Sequence, residues 1–260
     1  MAVAASGLRT IDLLCQACNE PCQRRSSPRC TWLALNKTKN TTLLTDRRLK
    51  TRASTETDLS IATGDYLVEE FGWGVRRMAE VGDEMRNAAA VQAEAFHVPV
   101  ALFNDLFLAF FRAEVLYALI YKIRNSAPDR YACLVAESAR VPDSLPATME
   151  GLAGVVDCTV QRDEDVLRHL QGAEEYLYVS GIAVLSIFRR KKVGTVLLKA
   201  CDVISQLWGH DYIALRAYED DLAARQLYSK AGFKIVSADP HWITWLGRKR
   251  RLLLIKSPCL

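Results

Sequence analysis

Arg189, Arg190, Lys191, Lys192, Val193, Gly194 and Thr195 follow an apolar run at 179–184 and open a stretch whose apolar residues recur at helical spacing. A helix that starts there leaves its first backbone N–H groups without intrahelical partners. Aimed outward, with the positive end of the helix dipole behind them, such groups bind a pyrophosphate. A second stretch lies downstream, Asp221-Leu222-Ala223-Ala224-Arg225-Gln226-Leu227-Tyr228-Ser229-Lys230-Ala231-Gly232-Phe233. Asp221 is a cap by residue type and Gly232 a stop, so Tyr228 is carried on a short helix between them. A phenol there, with an ordinary pKa of about 10, can give a proton to a departing thiolate. Singly, each stretch has a plainer account, the first as a basic turn and Tyr228 as a half-buried helix residue. The order strand, glycine-containing turn, helix, strand, helix ending in Gly-Phe, strand favours reading them as one site.

On these residues the chain resembles the GNAT superfamily of acetyl-CoA-dependent N-acetyltransferases, and within it the plant plastid enzymes that acetylate lysines and protein N-termini. The family's acetyl-CoA motif is Arg or Gln, two residues, Gly, one residue, then Gly or Ala. Arg189 and Gly194 fit its ends, and Lys192 stands where its first Gly belongs. A lysine still offers its backbone N–H to phosphate, but the loop is then expected to turn without a positive φ. The family's second motif is met by Asp221, Ala224, Leu227, Tyr228, Lys230, Gly232 and Phe233, with Asp in place of the usual Asn. The resemblance covers roughly residues 65–256 and is specific from 176 to 233. It implies an α/β GNAT fold, a central mixed, mostly antiparallel sheet flanked by helices. It also implies acetyl-CoA as co-substrate, held by Ile182, Ala183 and Val184, by Arg189 to Thr195, and by Asp221 and Tyr228, with no metal.

The family transfers acetyl directly from the thioester to a neutral amine. The resemblance then assigns the oxyanion to backbone N–H near Val184, where the strands splay, and the protonation of the sulfur to Tyr228. For the base it points to Tyr178, six residues before Val184, with Glu174 and Glu175 just before it. The partner histidine of some N-terminal acetyltransferases is replaced by Arg216, which cannot accept a proton, so a water wire is the alternative. A tyrosine at such a position is more often a packed strand residue, and two such glutamates more often a solvated turn. Glu219, Asp220 and Asp221 are candidates for the acceptor groove or for helix N-terminal charges. Without a strong base, an N-terminal amine (pKa about 8) is an easier acceptor than lysine (about 10.4). Protein or peptide amines acetylated by a monomer are the leading expectation. The alternatives are a small-amine acetyltransferase acting on a polyamine or an arylalkylamine such as serotonin, and a non-catalytic acyl-CoA-binding regulator.

Charge distribution sharpens this picture. Residues 1–55 hold ten Lys or Arg against three Asp or Glu, whereas 56–260 hold 24 against 27. The basic, Ser/Thr-rich front end lacks periodicity and reads as an organelle transit peptide over 1–60, chloroplast before mitochondrion, with the catalytic domain at 61–260. An ordinary disordered tail is the competing account. Cys15, Cys18, Cys22 and Cys30 lie in this leader with no histidine near them, which disfavours zinc; Cys133, Cys158 and Cys201 fall in apolar patterns and read as core thiols of a reducing compartment. Arg248 to Arg251 is a basic tetrad without interleaved aromatics, so nucleic acid is not an expected partner. Nor is a membrane: the most apolar stretch, 100–121, contains Asn104, Asp105, Arg112 and Glu114.

The elements that must position the site follow from periodicity. Short strands are expected at 65–69 and 74–78, helices at 83–96 and 102–123, and strands at 131–137 and 152–161 around a long loop at 139–149. Phe103, Leu106, Phe107, Phe110 and Phe111 form a stripe expected to pack into the core. A short helix at 163–170, the strand at 176–184, a helix from Val193 to Leu207 ended by Gly209, a strand at 212–217, the helix at 221–231 and a strand pair at 233–236 and 252–256 complete the order.

Overall fold

The computed structural model describes residues 65–97, 104–139 and 151–257. The leader assigned to 1–60, its four cysteines, Phe103 and nearly all of the loop at 139–149 lie outside the described residues. One eight-stranded sheet organises the rest: β1 (Val68–Glu70), β2 (Trp73–Arg77), β3 (Tyr131–Ser138), β4 (Leu152–Gln161), β5 (Tyr176–Val184), β6 (Ile213–Tyr218), β7 (Lys234–Ala238) and β8 (Arg251–Lys256), in the order β1-β2-β3-β4-β5-β6-β8-β7. Every neighbouring pair is antiparallel except β5 and β6. β3 and β4 read as nearly unbroken apolar runs because helices cover both faces of the sheet there.

On one face lie α4 (Val193–Leu207) and α5 (Leu222–Lys230). Val196, Leu197, Ala200 and Ile204 of α4 are fully buried against Val156, Cys158, Leu177 and Val179. Each large aliphatic side chain buried this way contributes about 1.5–3 kcal/mol. Leu207, at the end of the expected stripe, is instead 37% exposed, as the last residue of the helix. On the other face α1 (Gly82–Phe96) and α2 (Asn104–Asn125) pack over β3, β4 and β5, and a one-turn helix, α3 (Glu164–Leu167), covers the start of β5 and β6. Asp163 caps α3 by accepting a hydrogen bond from Asp165 N at 3.0 Å.

The aromatic stripe of α2 does not pack as expected. Leu106, Phe107 and Phe110 are exposed, and the buried face is Phe111, Val115, Leu119 and Lys122. The helix is apolar nearly all round, so periodicity did not single out one side. Residues 111, 115, 119 and 122 share a stripe at spacings of four and three, and that is the stripe laid on α1 and the sheet. Cys133, Cys158 and Cys201 are buried free thiols, as their apolar surroundings indicated. No helix among the described residues is long and apolar enough to cross a membrane.

Glu175, just before β5, accepts hydrogen bonds from Arg130 at 2.7 and 3.3 Å and from Arg162 at 2.6 Å, tying β3, β4 and β5 together at one end. Chiefly through Arg130, and then Arg162, its carboxyl is pulled down from 4.5 to about 2. A carboxylate whose folded value is depressed stabilises the fold above its unfolded value and loses that contribution as pH falls through the folded one. Urea midpoints of the wild type are therefore expected to drop between pH 4.5 and about 2 more steeply than those of Glu175→Gln. Parallel curves for the two proteins mean that the clip contributes nothing.

Candidate active site

β5 and β6 are joined by only two residue pairs, Leu177↔Ile213 and Tyr178↔Ala214, after which the strands part. Residues 179–184 of β5 remain paired to β4 on their other side, so the wedge between β5 and β6 opens toward the start of α4. Within that stretch β5 bulges: its register with β4 shifts between Val155 and Asp157, opposite Gly181, whose φ is +61. A side chain at Gly181 would also come within 2.9 Å of Gln92 Nε2, so both backbone and space require glycine.

Beyond Val184 a short 3-10 turn (Ser186–Phe188) leads to the basic loop, and α4 begins at Val193. Arg189 is tied back by a 3.3 Å hydrogen bond from its Nε to Val184 O. Lys192 occupies the N-cap with φ +73 and ψ 0 and makes no side-chain cap, so no side chain occupies the first helical amides. The expectation that the loop avoids positive φ is overturned, because both Arg190 (φ +64) and Lys192 adopt the left-handed conformation. Each such non-glycine residue costs on the order of 1 kcal/mol, which the surroundings must offset. Gly194 faces Leu227 of α5; a Cβ there would stand 3.0 Å from Leu227 Cδ2.

Tyr228 is 6% exposed and packs edge to face on Phe233, with ring centroids 6.0 Å apart. Burial pushes its phenol well up, and Asp221, Cys201 and Tyr178 act in the same direction. It therefore stays protonated, the form a proton donor needs. Asp221 caps α5 by accepting from Ala224 N at 2.9 Å, the role expected for an Asp in place of Asn. Ile182 and Val184 are partly buried against the α4 face, and Ala183 is buried on the opposite one.

Tyr178 points to the face of α3, where burial raises its phenol while Arg216 and then Arg251 oppose the shift. Arg216 stands 3.7 Å from Asp163 Oδ2 and 3.8 Å from Asp239 Oδ1, and Arg251 is 3.0 Å from Asp239 Oδ2. The acids near α5 are likewise engaged. Glu219 binds Arg250 at 2.8 and 2.9 Å, and Asp220 binds Lys249 at 2.7 Å. Those pairs also engage Lys249 and Arg250 of the basic tetrad. Between them the β7–β8 connection lifts Trp242 and Trp245 into solvent, 54% and 87% exposed. The engagement of Arg216 by Asp163 and Asp239 was invisible in the sequence, since the three lie on different elements.

The sequence profile described as the Acetyltransferase (GNAT) family matches residues 101–233. GCN5-related N-acetyltransferase 10, chloroplastic, from Arabidopsis thaliana, is 57% identical over 193 residues, 74% of this chain and 75% of the relative. The chain belongs to the GNAT acetyltransferase family. It is an acetyl-CoA-dependent N-acetyltransferase. At the level of fold alone, this GNAT chain is similar to Arabidopsis thaliana NAA60 in complex with acetyl-CoA (TM-score 0.51, 12% identity, covering 71% of this chain and 98% of that one). It is similar also to a chain of the NatC complex bound to Gag peptide and CoA (TM-score 0.50, 15% identity, 72% and 99%). GCN5-related N-acetyltransferase 6, chloroplastic, from the same plant, is 22% identical over 64% of each chain.

The GNAT site suits acetyl-CoA on its own geometry: helix amides with no side-chain cap and a wedge between two strands that have stopped pairing. Among the described residues no cluster of three or more His, Cys, Asp or Glu is placed to hold a metal. Gly194→Asp introduces bulk against Leu227 and a negative charge at the helix N-terminus. Calorimetry is expected to show CoA affinity falling at least about tenfold, about 1.4 kcal/mol. Unchanged affinity in a folded variant places the phosphate site elsewhere.

Proposed function

We propose that this GNAT chain is a plastid protein N-acetyltransferase that acetylates the α-amines of protein N-termini and, less readily, lysine ε-amines. The observation that carries this reading is the engagement of the ionisable groups along β5. Beside Tyr178, where the wedge begins, Asp163 and Asp239 face Arg216 and burial keeps the phenol protonated, while Glu175, at the closed end ahead of β5, is held as an anion by two arginines. Of the two candidate glutamates only Glu174 has no ion pair among the described residues. It stands exposed ahead of β5, on the far side of the Leu177–Ile213 and Tyr178–Ala214 pairs from the wedge, so the acceptor is taken to arrive neutral. Near neutral pH an N-terminal amine is neutral roughly 200-fold more often than a lysine. The NatC chain, solved with a Gag peptide, supports a protein acceptor, and the chloroplastic name of the 57% identical relative supports the plastid.

Acetyl-CoA supplies the thioester whose acetyl group passes to the amine nitrogen as the carbon–sulfur bond breaks. The residues proposed to hold it are Ile182, Ala183 and Val184 along β5, the loop from Arg189 to Thr195, and Asp221 and Tyr228 at α5. Tyr228 gives its proton to the departing sulfur and regains one from the acceptor nitrogen through water, so the proton count closes. Residues 1–60 act as the transit peptide, and deleting them is expected to leave activity intact and abolish plastid import. A deletion variant that is folded but inactive assigns the leader to the catalytic domain.

The test is acetylation profiling by mass spectrometry with residues 61–260 and a peptide library in which N-termini and lysines are blocked in turn. N-terminal acetylation is expected to dominate, and exclusive transfer to small amines overturns the proposal. In the same assay Tyr228→Phe is expected to lower kcat on the order of 100-fold, the low end of general acid catalysis, with little change in CoA affinity. If kcat stays within about twofold, Tyr228 is a packing residue and the thiolate departs unaided.

A further inference from the structure

Before the sheet reaches β3, the chain makes a two-residue hairpin that no motif marks. β1 and β2 are joined by Phe71 and Gly72, both at positive φ (+54 and +79), the backbone of a turn usually built from Asn and Gly. A bulky residue at left-handed φ that is also 60% exposed is an unusual choice for a plain turn. What surrounds Phe71 accounts for it. Lys192 Nζ and Lys199 Nζ stand 5.6 and 5.9 Å from the Phe71 ring centroid, and Lys199 is paired with Glu70 at 2.5 Å. Two residues on, Trp73 donates its indole N–H to Lys191 O at 2.8 Å and meets the Phe188 ring edge to face at 5.3 Å. The hairpin therefore contacts the loop on either side of its turn, at Phe188, Lys191 and Lys192, where the backbone takes the two non-glycine positive φ values.

We propose that the β1–β2 hairpin is a clamp for the cofactor loop, with Trp73 as a positioning residue. By holding Lys191 O it keeps Lys192 in the left-handed N-cap conformation, and so sets how tightly the first amides of α4 bind the CoA pyrophosphate. The clamp does the work that a glycine at position 192 does by conformational freedom. Trp73 meets the loop at Lys191 and Phe188, so its effect falls on cofactor affinity and not on the chemical step. This inference rests on the phosphate site described above, and the two can fail separately.

The experiment is a double-mutant cycle read by calorimetric titration with CoA, using wild type, Trp73→Phe, Lys192→Gly and the double variant. Trp73→Phe keeps an aromatic ring against Phe188 but loses the hydrogen bond to Lys191. It is expected to weaken CoA binding about fivefold and to raise the KM for acetyl-CoA with kcat nearly unchanged. In the Lys192→Gly background the same substitution is expected to change affinity less than about twofold, because glycine holds the turn unaided. Wild-type CoA affinity in Trp73→Phe overturns the clamp, and so does an equal loss in both backgrounds, which makes Trp73 a packing residue. If Trp73→Phe does not fold, Phe71→Asn decides: asparagine suits the hairpin turn but leaves Lys192 without its ring, and unchanged CoA affinity overturns the proposal. If Gly194→Asp also leaves affinity unchanged, the phosphate site itself is misplaced. A Gly194→Asp effect without a Trp73→Phe effect removes only the clamp.

Discussion

The carboxyl group of Asp157, 2% exposed in the middle of β4, joins five elements at one point. Tyr131 of β3 donates to it at 2.8 Å, Gln92 of α1 at 3.2 Å and Lys122 of α2 at 3.3 Å, and Gln92 also reaches Gly181 O on β5 at 3.4 Å. Lys122 is itself 8% exposed. Burying such a pair carries a desolvation cost that only well-made hydrogen bonds offset, and removing one partner leaves the other uncompensated, typically at about 3–5 kcal/mol. The cluster therefore fixes where α1 and α2 sit on the sheet. It also fixes the bulge, since Gly181 is the residue at which β5 loses register with β4. That bulge lies just past the two residue pairs that join β5 to β6, where the wedge opens.

From this point the two faces of the sheet differ in what they carry. On the α4 and α5 face lie the uncapped helix amides, Gly194 against Leu227, and Tyr228 against Phe233. On the α3 face Tyr178 has Arg216, Arg251 and Asp163 as its charged neighbours. A parallel strand pair that separates is the simplest way for one site to be reached from both faces. Its cost is that β5 lacks a ladder partner on that side beyond Tyr178.

Local chemistry was legible where a single element decides it. Asp221 caps α5, Gly209 follows α4 at φ +73, and β4, β5 and α4 begin and end where their apolar patterns do. The pattern misled where more than one face was apolar. On α2 the phenylalanines at 107 and 110 stand in solvent and Phe111 is buried, a choice made by the shape of α1 and the sheet beneath. At Lys192 the rule that a positive φ calls for glycine is sound as local energetics, yet the turn adopts it beside a hydrogen bond to Lys191 O from Trp73, 118 residues away in sequence.

By itself the sequence determined the order of elements, the start of α4 after the basic loop and the helix that carries Tyr228, because caps, stops and apolar periods act over a few residues and are written in them. The tertiary structure alone decided which acids and bases are already engaged, since Glu175, Asp163, Asp239 and Arg216 meet their partners only when separate elements pack together. The same holds for the hairpin beneath the loop. Electrostatic engagement and backbone strain depend on groups that share space and not sequence, so no motif could display them.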